Sequence, residues 1–240
     1  MRVALAAVAA LTLAAATALT AGTAQAFEVT GGSVGLSYSA FADDTDFNRI
    51  GLEGSLELGF NRNFGLQLDA GYDNFDISGL DSNTLGLHGI YHMNDVTYFG
   101  AFYTREDVAG FDLDIPGVEA GPEAMHWEFE GYIADIDSDV GGGTMGGIKA
   151  RYALAEGFGL SGSFDRAESG GDDLSRFAVR LDRDVSPNAN LFLEVGSAKV
   201  DVGGMSDSEP FVGLGGKIAF GAERGATFEQ RGFTRLIPGL

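Results

Sequence analysis

Few residues in this chain have the type and spacing for chemistry. His88 and His92 stand four apart in "TLGLHGIYHM". On a helix that spacing suits a metal pair, but no Glu follows His88 as H-E-x-x-H requires. On a strand the two lie about 13 Å apart at about 3.3 Å per residue, and zinc would need a clustered third ligand. His126 falls in an expected short turn. Asp135, Asp137 and Asp139 imitate the opening of an EF-hand loop. Val140 stands where that loop needs Gly, and Gly146 stands where it needs the bidentate Glu. A solvated acidic loop, at most a loose divalent binder, is the reading. No Ser, His and Asp form a recognisable nucleophile motif, and no phosphate loop or cofactor motif occurs. The expectation is therefore no enzyme, no catalytic residue, no cofactor and no metal.

The more informative group is a set of charges inside otherwise alternating segments. Glu53, Glu57, Asp69 and Asp73 form an acidic set. Lys149, Arg151, Arg176, Arg180 and Lys217 form a basic set further along. Two such sets facing each other across water make a transverse field that orients and filters polar solutes. The competing reading is a set of ion pairs that plug a narrow interior. Either way, some scaffold must turn both sets to a common interior.

That scaffold is legible as alternation. In "NRNFGLQLDAGYDNFD", Phe64, Leu66, Leu68, Ala70 and Tyr72 alternate with Gly65, Gln67, Asp69, Gly71 and Asp73. Strand side chains point to opposite faces with period two, so one face is greasy and one wet. "GSVGLSYSAF", "GLEGSLELGF", "WEFEGYI", "GGIKARYAL", "SRFAVRL" and "NLFLEV" repeat the pattern along the chain. Short connections ("NRN", "MND", "AEG", "SPNA") alternate with longer acidic ones rich in Gly and Ser. That asymmetry is the signature of an outer-membrane β-barrel. "FDLDIPGVEA" supplies a returning strand with Pro116 at a bulge, and "GPEAMH" the short turn after it, which brings an otherwise odd count to about twelve.

Before the strands, "MRVALAAVAALTLAAATALTAGTAQA" has Arg2, an apolar run and Ala24-Gln25-Ala26. These are the parts of a secretory signal, with cleavage expected after Ala26. Nothing later offers the 18 or more apolar residues of a spanning helix. The chain has no cysteine, so no disulfide or thiol chemistry is available. The formal charge is −20, which excludes a general nucleic-acid binder. Its 45% hydrophobic and 11% aromatic content argues against disorder.

Alternation alone leaves open which face is inside. The high hairpin count, the Gly- and Ser-rich polar face and aromatics beside the short turns favour a greasy face turned to lipid. Those aromatics are Phe60, Phe64, Tyr91, Trp127, Tyr152, Phe158 and Phe220. At this point the chain resembles the porin-like outer-membrane proteins of alphaproteobacteria. The resemblance is carried by the signal, the "F.LQLDAGY" and "YHMNDVTYFGAFY" hairpins, and "GGKIAF". The last looks like the strand read by barrel-assembly machinery, here Gly215, Ile218 and Phe220. Many family members end on that aromatic, whereas this chain continues.

The resulting expectation is all-β: an antiparallel up-and-down transmembrane β-barrel of about 12 strands with a cleaved N-terminal signal peptide. Residues 1–26 are the signal, 27–222 the barrel and 223–240 a periplasmic tail. The expected function is an outer-membrane porin of a Gram-negative bacterium, a passive diffusion pore for small hydrophilic solutes or ions. The alternative is a non-conducting outer-membrane barrel with a structural or adhesive role through its acidic loops. The two charged sets would line the pore, with weak cation preference. Lipid, lipopolysaccharide and barrel-assembly machinery are the expected partners, and the sequence leaves open both the single barrel and a homo-oligomer.

Overall fold

The computed structural model describes residues 27–77, 80–139, 141–221 and 225–238. The expected signal peptide lies outside the described residues. Twelve strands follow one another: β1 Glu28–Phe41, β2 Asn48–Gly59, β3 Phe64–Phe75, β4 Asp81–Asn94, β5 Thr97–Val108 and β6 Phe111–Ala124, then β7 Trp127–Ser138, β8 Gly143–Ala153, β9 Phe158–Ser169, β10 Asp172–Ser186, β11 Ala189–Val202 and β12 Met205–Gly221. Each pairs antiparallel with its neighbours in sequence, and β1 pairs with β12, so the sheet closes. Closure removes the free edges that an open sheet would expose.

The polarity of the wall is inverted relative to a water-soluble barrel. Leu87, Ile133, Ile148, Leu193 and Ile218 face outward and are exposed, whereas Gln67, His88, Thr104 and Glu106 are fully buried inside. On β3 the outward apolar run extends from Phe64 to Tyr72. That is about 26 Å of strand at about 3.3 Å per residue, or about 20 Å of depth at a tilt of about 40°. Aromatics frame the end that carries the connections expected to be short. Phe64 and Tyr91 rings lie 5.2 Å apart, and Trp127 and Tyr152 rings 4.9 Å apart.

Three local expectations change. The connections expected to be long and acidic contract. Ala109-Gly110, Gly170-Gly171 and Gly203-Gly204 make two-residue turns with positive φ at both positions, the geometry that matches strand twist in a hairpin. The strands simply run on beyond the apolar band, so Asp107, Asp137, Asp172, Asp207 and Glu209 lie on strands. Asp135 shares β7 with Asp137, so that acidic motif is mostly strand and not an EF-hand-like loop. Pro116 makes no bulge, because β6 keeps one register with β5 throughout. Its ladder with β7 is interrupted at residues 115–116 and 121–122, around the two prolines that lack an N–H, and resumes in the same register. "GPEA" continues β6, and only Met125 and His126 turn.

Several aromatic rings lie flat on the inner wall over a glycine directly opposite on the next strand. Phe102 faces Gly117 and Tyr98 faces Gly121. Gly196 faces Phe211, and Phe192 faces Gly215. A Cβ at any of these glycines would collide with the ring.

The expectation of a periplasmic tail does not hold. Residues 225–238 turn back into the barrel. Phe228 and Leu236 are each 2% exposed, deeper than most of the wall. The segment breaks the alternation because it is not a strand. It carries only a short 3₁₀ turn, Thr234–Leu236. Its polar groups are satisfied by lumenal side chains instead of a ladder.

Candidate lumenal passage

All nine residues of the two charged sets point inward, on β2 and β3 for the acids and on β8, β10 and β12 for the bases. They have different fates. Glu57, Asp69 and Asp73 are covered, with residues 8% exposed or less. Glu53 and all five bases border a cavity of about 530 Å³ between residues 225–238 and the wall formed by β7–β12, β1 and β2.

The acidic half is occupied by the C-terminal segment. A buried carboxylate needs donors, because desolvation without a partner is costly. Backbone N–H groups of the segment supply many of them. Thr227 N–H donates to Glu57 at 2.8 Å and Phe233 N–H to Glu106 at 2.6 Å. Gln67 clamps Phe228 on both sides, accepting from its N–H at 3.0 Å and donating to its carbonyl at 2.9 Å. Arg231 donates to Glu119 at 2.9 Å and also pairs with Glu130. Arg235 donates to Glu53 at 2.6 Å. Arg49 on β2 pairs with Asp73 at 3.2 Å and donates to the Thr234 carbonyl at 2.8 Å.

His88 is the deepest piece of this half. It lies 2.8 Å from Asp69 and 2.5 Å from Glu119, and it is fully buried. The rings of Phe102 and of Phe228 in the segment stack near its ring, with centroids 5.5 and 6.1 Å away. His92 sits 3.9 Å from Glu57, and His126 packs at the turn against Tyr152.

The basic half pairs within its own wall. Arg176 and Arg180 share Glu194 on the adjacent β11, with Arg180 at 2.9 Å. The two guanidinium groups lie over Phe211 and Phe192, 4.8 and 4.0 Å from the ring centroids. Arg151 bridges Asp182 at 2.7 Å and Glu128 at 2.8 Å. Lys149 instead reaches across the lumen. Its partner, at 2.5 Å, is Glu229 of the C-terminal segment.

Farther from the short turns, the segment meets an apolar plate. Leu236 packs with Phe102, Ile115, Ala134, Met145 and Ala167, and Phe233 joins them. Sequence reasoning missed Glu106, Glu119, Asp182 and this plate, and it assigned Arg231 and Arg235 to the periplasm. The signal available was imbalance. The inward positions of β2–β7 hold many more acids than bases, and the C-terminal segment holds unassigned arginines.

No protein-family model and no curated protein matches the chain. Solved structures do. The KdgM porin superposes with a TM-score of 0.60 at 12% identity, over 78% of this chain and 99% of that one. The NanC porin gives 0.58 at 10% identity, over 78% and 98%. The COG4313 outer membrane channel from Pseudomonas putida F1 gives 0.53 at 15% identity, over 80% and 95%. The chain therefore has the closed-barrel fold of outer-membrane porins.

Proposed function

We propose that this barrel is a narrow passive diffusion pore for small hydrophilic solutes or ions in the outer membrane of a Gram-negative bacterium. The observation that carries the reading is the polar cavity of about 530 Å³, walled by Lys149, Arg151, Arg176, Arg180 and Lys217 and by the C-terminal segment. The interior of a membrane barrel is polar whether open or plugged, and a polar cavity that runs alongside the C-terminal segment is the space through which a solute or ion would pass. The pore-lining set is then the five bases and Glu53. Glu57, Asp69 and Asp73 act one layer back, holding the segment that narrows the lumen. Glu128, Glu130, Asp165, Asp182, Glu194 and Glu229 share that wall, so acidic and basic groups both face the path. The hairpins and last strand that resemble alphaproteobacterial porin-like proteins support the same reading. So does an outer face suited to lipid and lipopolysaccharide, and a β12 suited to assembly machinery.

A second reading, the non-conducting barrel, is favoured by the seal of Phe233 and Leu236 against Ile115 and Met145. Planar-bilayer recording separates the two. Small, ohmic single-channel steps from the full-length protein support the pore. Steps only after deletion of residues 225–240 assign the protein to the plugged class. Silence from both forms overturns the channel altogether.

A further inference from the structure

Resting on the pore reading, we propose that Glu229 and Lys149 together form the selectivity constriction, a charge gate contributed half by the wall and half by the C-terminal segment. Three observations carry this. First, the charged side chains of residues 225–238 divide. Arg231 and Arg235 turn to the acidic half, whereas Glu229 turns to Lys149 on the opposite wall. The pair therefore spans the gap that the segment leaves. Second, Glu229 sits where the fields of both halves meet. Its charge acts on Arg180 of β10, Glu194 of β11 and Glu53 of β2. Third, the pair is in reach of a permeating solute. Lys149 and Glu229 keep 26% and 35% exposure, as Arg235 and Glu53 keep 28% and 37%, while Arg176 and Glu194 are held against the wall at 13% and 6%.

The chemistry follows from where the charges stand. A hydrated ion passing between the segment and β8–β12 meets the ammonium of Lys149 and the carboxylate of Glu229 as one local dipole. Neutralising either end leaves a single charge at the narrowest crossing, and a lone charge in a low-dielectric constriction biases which ion enters. The other anchors of the segment, on Glu53, Glu57, Gln67, Glu106 and Glu119, are untouched by changes at this pair.

The experiment is reversal potential under a KCl gradient in planar bilayers. Glu229→Gln shifts it toward anions, Lys149→Gln shifts it toward cations, and the swap Lys149→Glu with Glu229→Lys returns it to the wild-type value. The chain has no cysteine, so Glu229→Cys creates its one thiol. A methanethiosulfonate bearing a sulfonate then drives the reversal potential back toward wild type and lowers the current. One bearing a trimethylammonium group drives it further toward anions. Heat-modifiable gel migration of each variant confirms a closed barrel before recording. If the wild type conducts but the charge variants match it, and the reagents change neither current nor potential, Glu229 is not at the constriction. Absence of current from both the wild type and the truncated protein overturns the pore reading itself.

Discussion

The two halves of the lumen solve the same problem in opposite ways. On β8–β12 the inward charges are mostly satisfied by other side chains of the wall: Arg176 and Arg180 by Glu194 on the adjacent β11, and Arg151 by Asp182 two strands away and Glu128 on the adjacent β7. That half is self-sufficient once the strands register. On β2–β7 much of the satisfaction of the inward carboxylates comes from a segment more than a hundred residues away, through Arg231, Arg235 and a row of backbone N–H groups. The first half is finished by the sheet, and the second only by the C-terminal segment. Removing a partner should therefore hurt the acidic half far more than the basic half.

The largest effect expected is from deleting residues 225–240. Glu57, Glu106 and Glu119 lose together the donors that the segment supplies and keep only Thr30, Thr84 and His88, the cavity widens, and single-channel conductance rises severalfold with a move toward cations. An unchanged conductance would show that the segment does not obstruct the path. Next comes Arg231→Ala, which takes the guanidinium from Glu130 and leaves Glu119 with only His88 in a buried setting. A loss of about 3–5 kcal/mol is expected, read from urea unfolding in lipid vesicles through the fluorescence of the single tryptophan, Trp127. Leu193→Arg, on the exposed outer face, places a charge in lipid and should cost about 2–4 kcal/mol near mid-membrane. In the same assay Arg176→Ala should cost only about 1–2 kcal/mol, because Glu194 keeps Arg180. If Arg176→Ala proved as damaging as Arg231→Ala, the contrast between the halves would collapse. The smallest effect belongs to Arg105→Ser. Its pairing with Asp112 is solvent-exposed, and surface pairs of this kind contribute little. No measurable change in the unfolding midpoint is expected.

The wall was legible in the sequence because period-two alternation is a local property. Twelve strands, the inward placement of Glu53 or Arg180, and the outward placement of Leu68 or Leu193 follow from neighbours in the chain. The returning strand at Phe111–Ala124 was recoverable even across two prolines. The C-terminal segment was not legible, since it has no period and its partners are scattered over β2–β8. Gln67 shows the cost of that blindness. Alternation marks it as lumenal and hence as tolerant of Arg. The structure makes it a fully buried clamp on both backbone groups of Phe228, where a larger cation would unseat the segment. The turns on the far side from the aromatics were misjudged for a different reason. Acidic, Gly-rich sequence looks like loop, yet pairs of glycines with positive φ let the strands continue to a two-residue hairpin.

The aromatic–glycine pairs on the inner wall carry a consequence for how this sequence is free to drift. Phe102, Tyr98, Phe211 and Phe192 keep to the wall only because Gly117, Gly121, Gly196 and Gly215 present no side chain opposite them. Each pair is a two-letter word in which neither letter changes alone. Alanine at Gly117 would lift the Phe102 ring toward the space that Leu236 occupies. A smaller residue at Phe102 would leave His88 without one of its stacking faces. Gly131 stands apart, because a Cβ there would meet only Gly147 O and an Ile148 methyl, at 3.5 and 3.6 Å. Single-residue variation is thus open at Gly131 and closed at the four paired glycines: at Gly121 only the Tyr98 ring stands in the way, so a concerted double replacement is accommodated, whereas a Cβ at Gly117, Gly196 or Gly215 would also meet the backbone carbonyl of Ile133, Phe177 or Leu36, and those three stay glycine whatever the ring becomes.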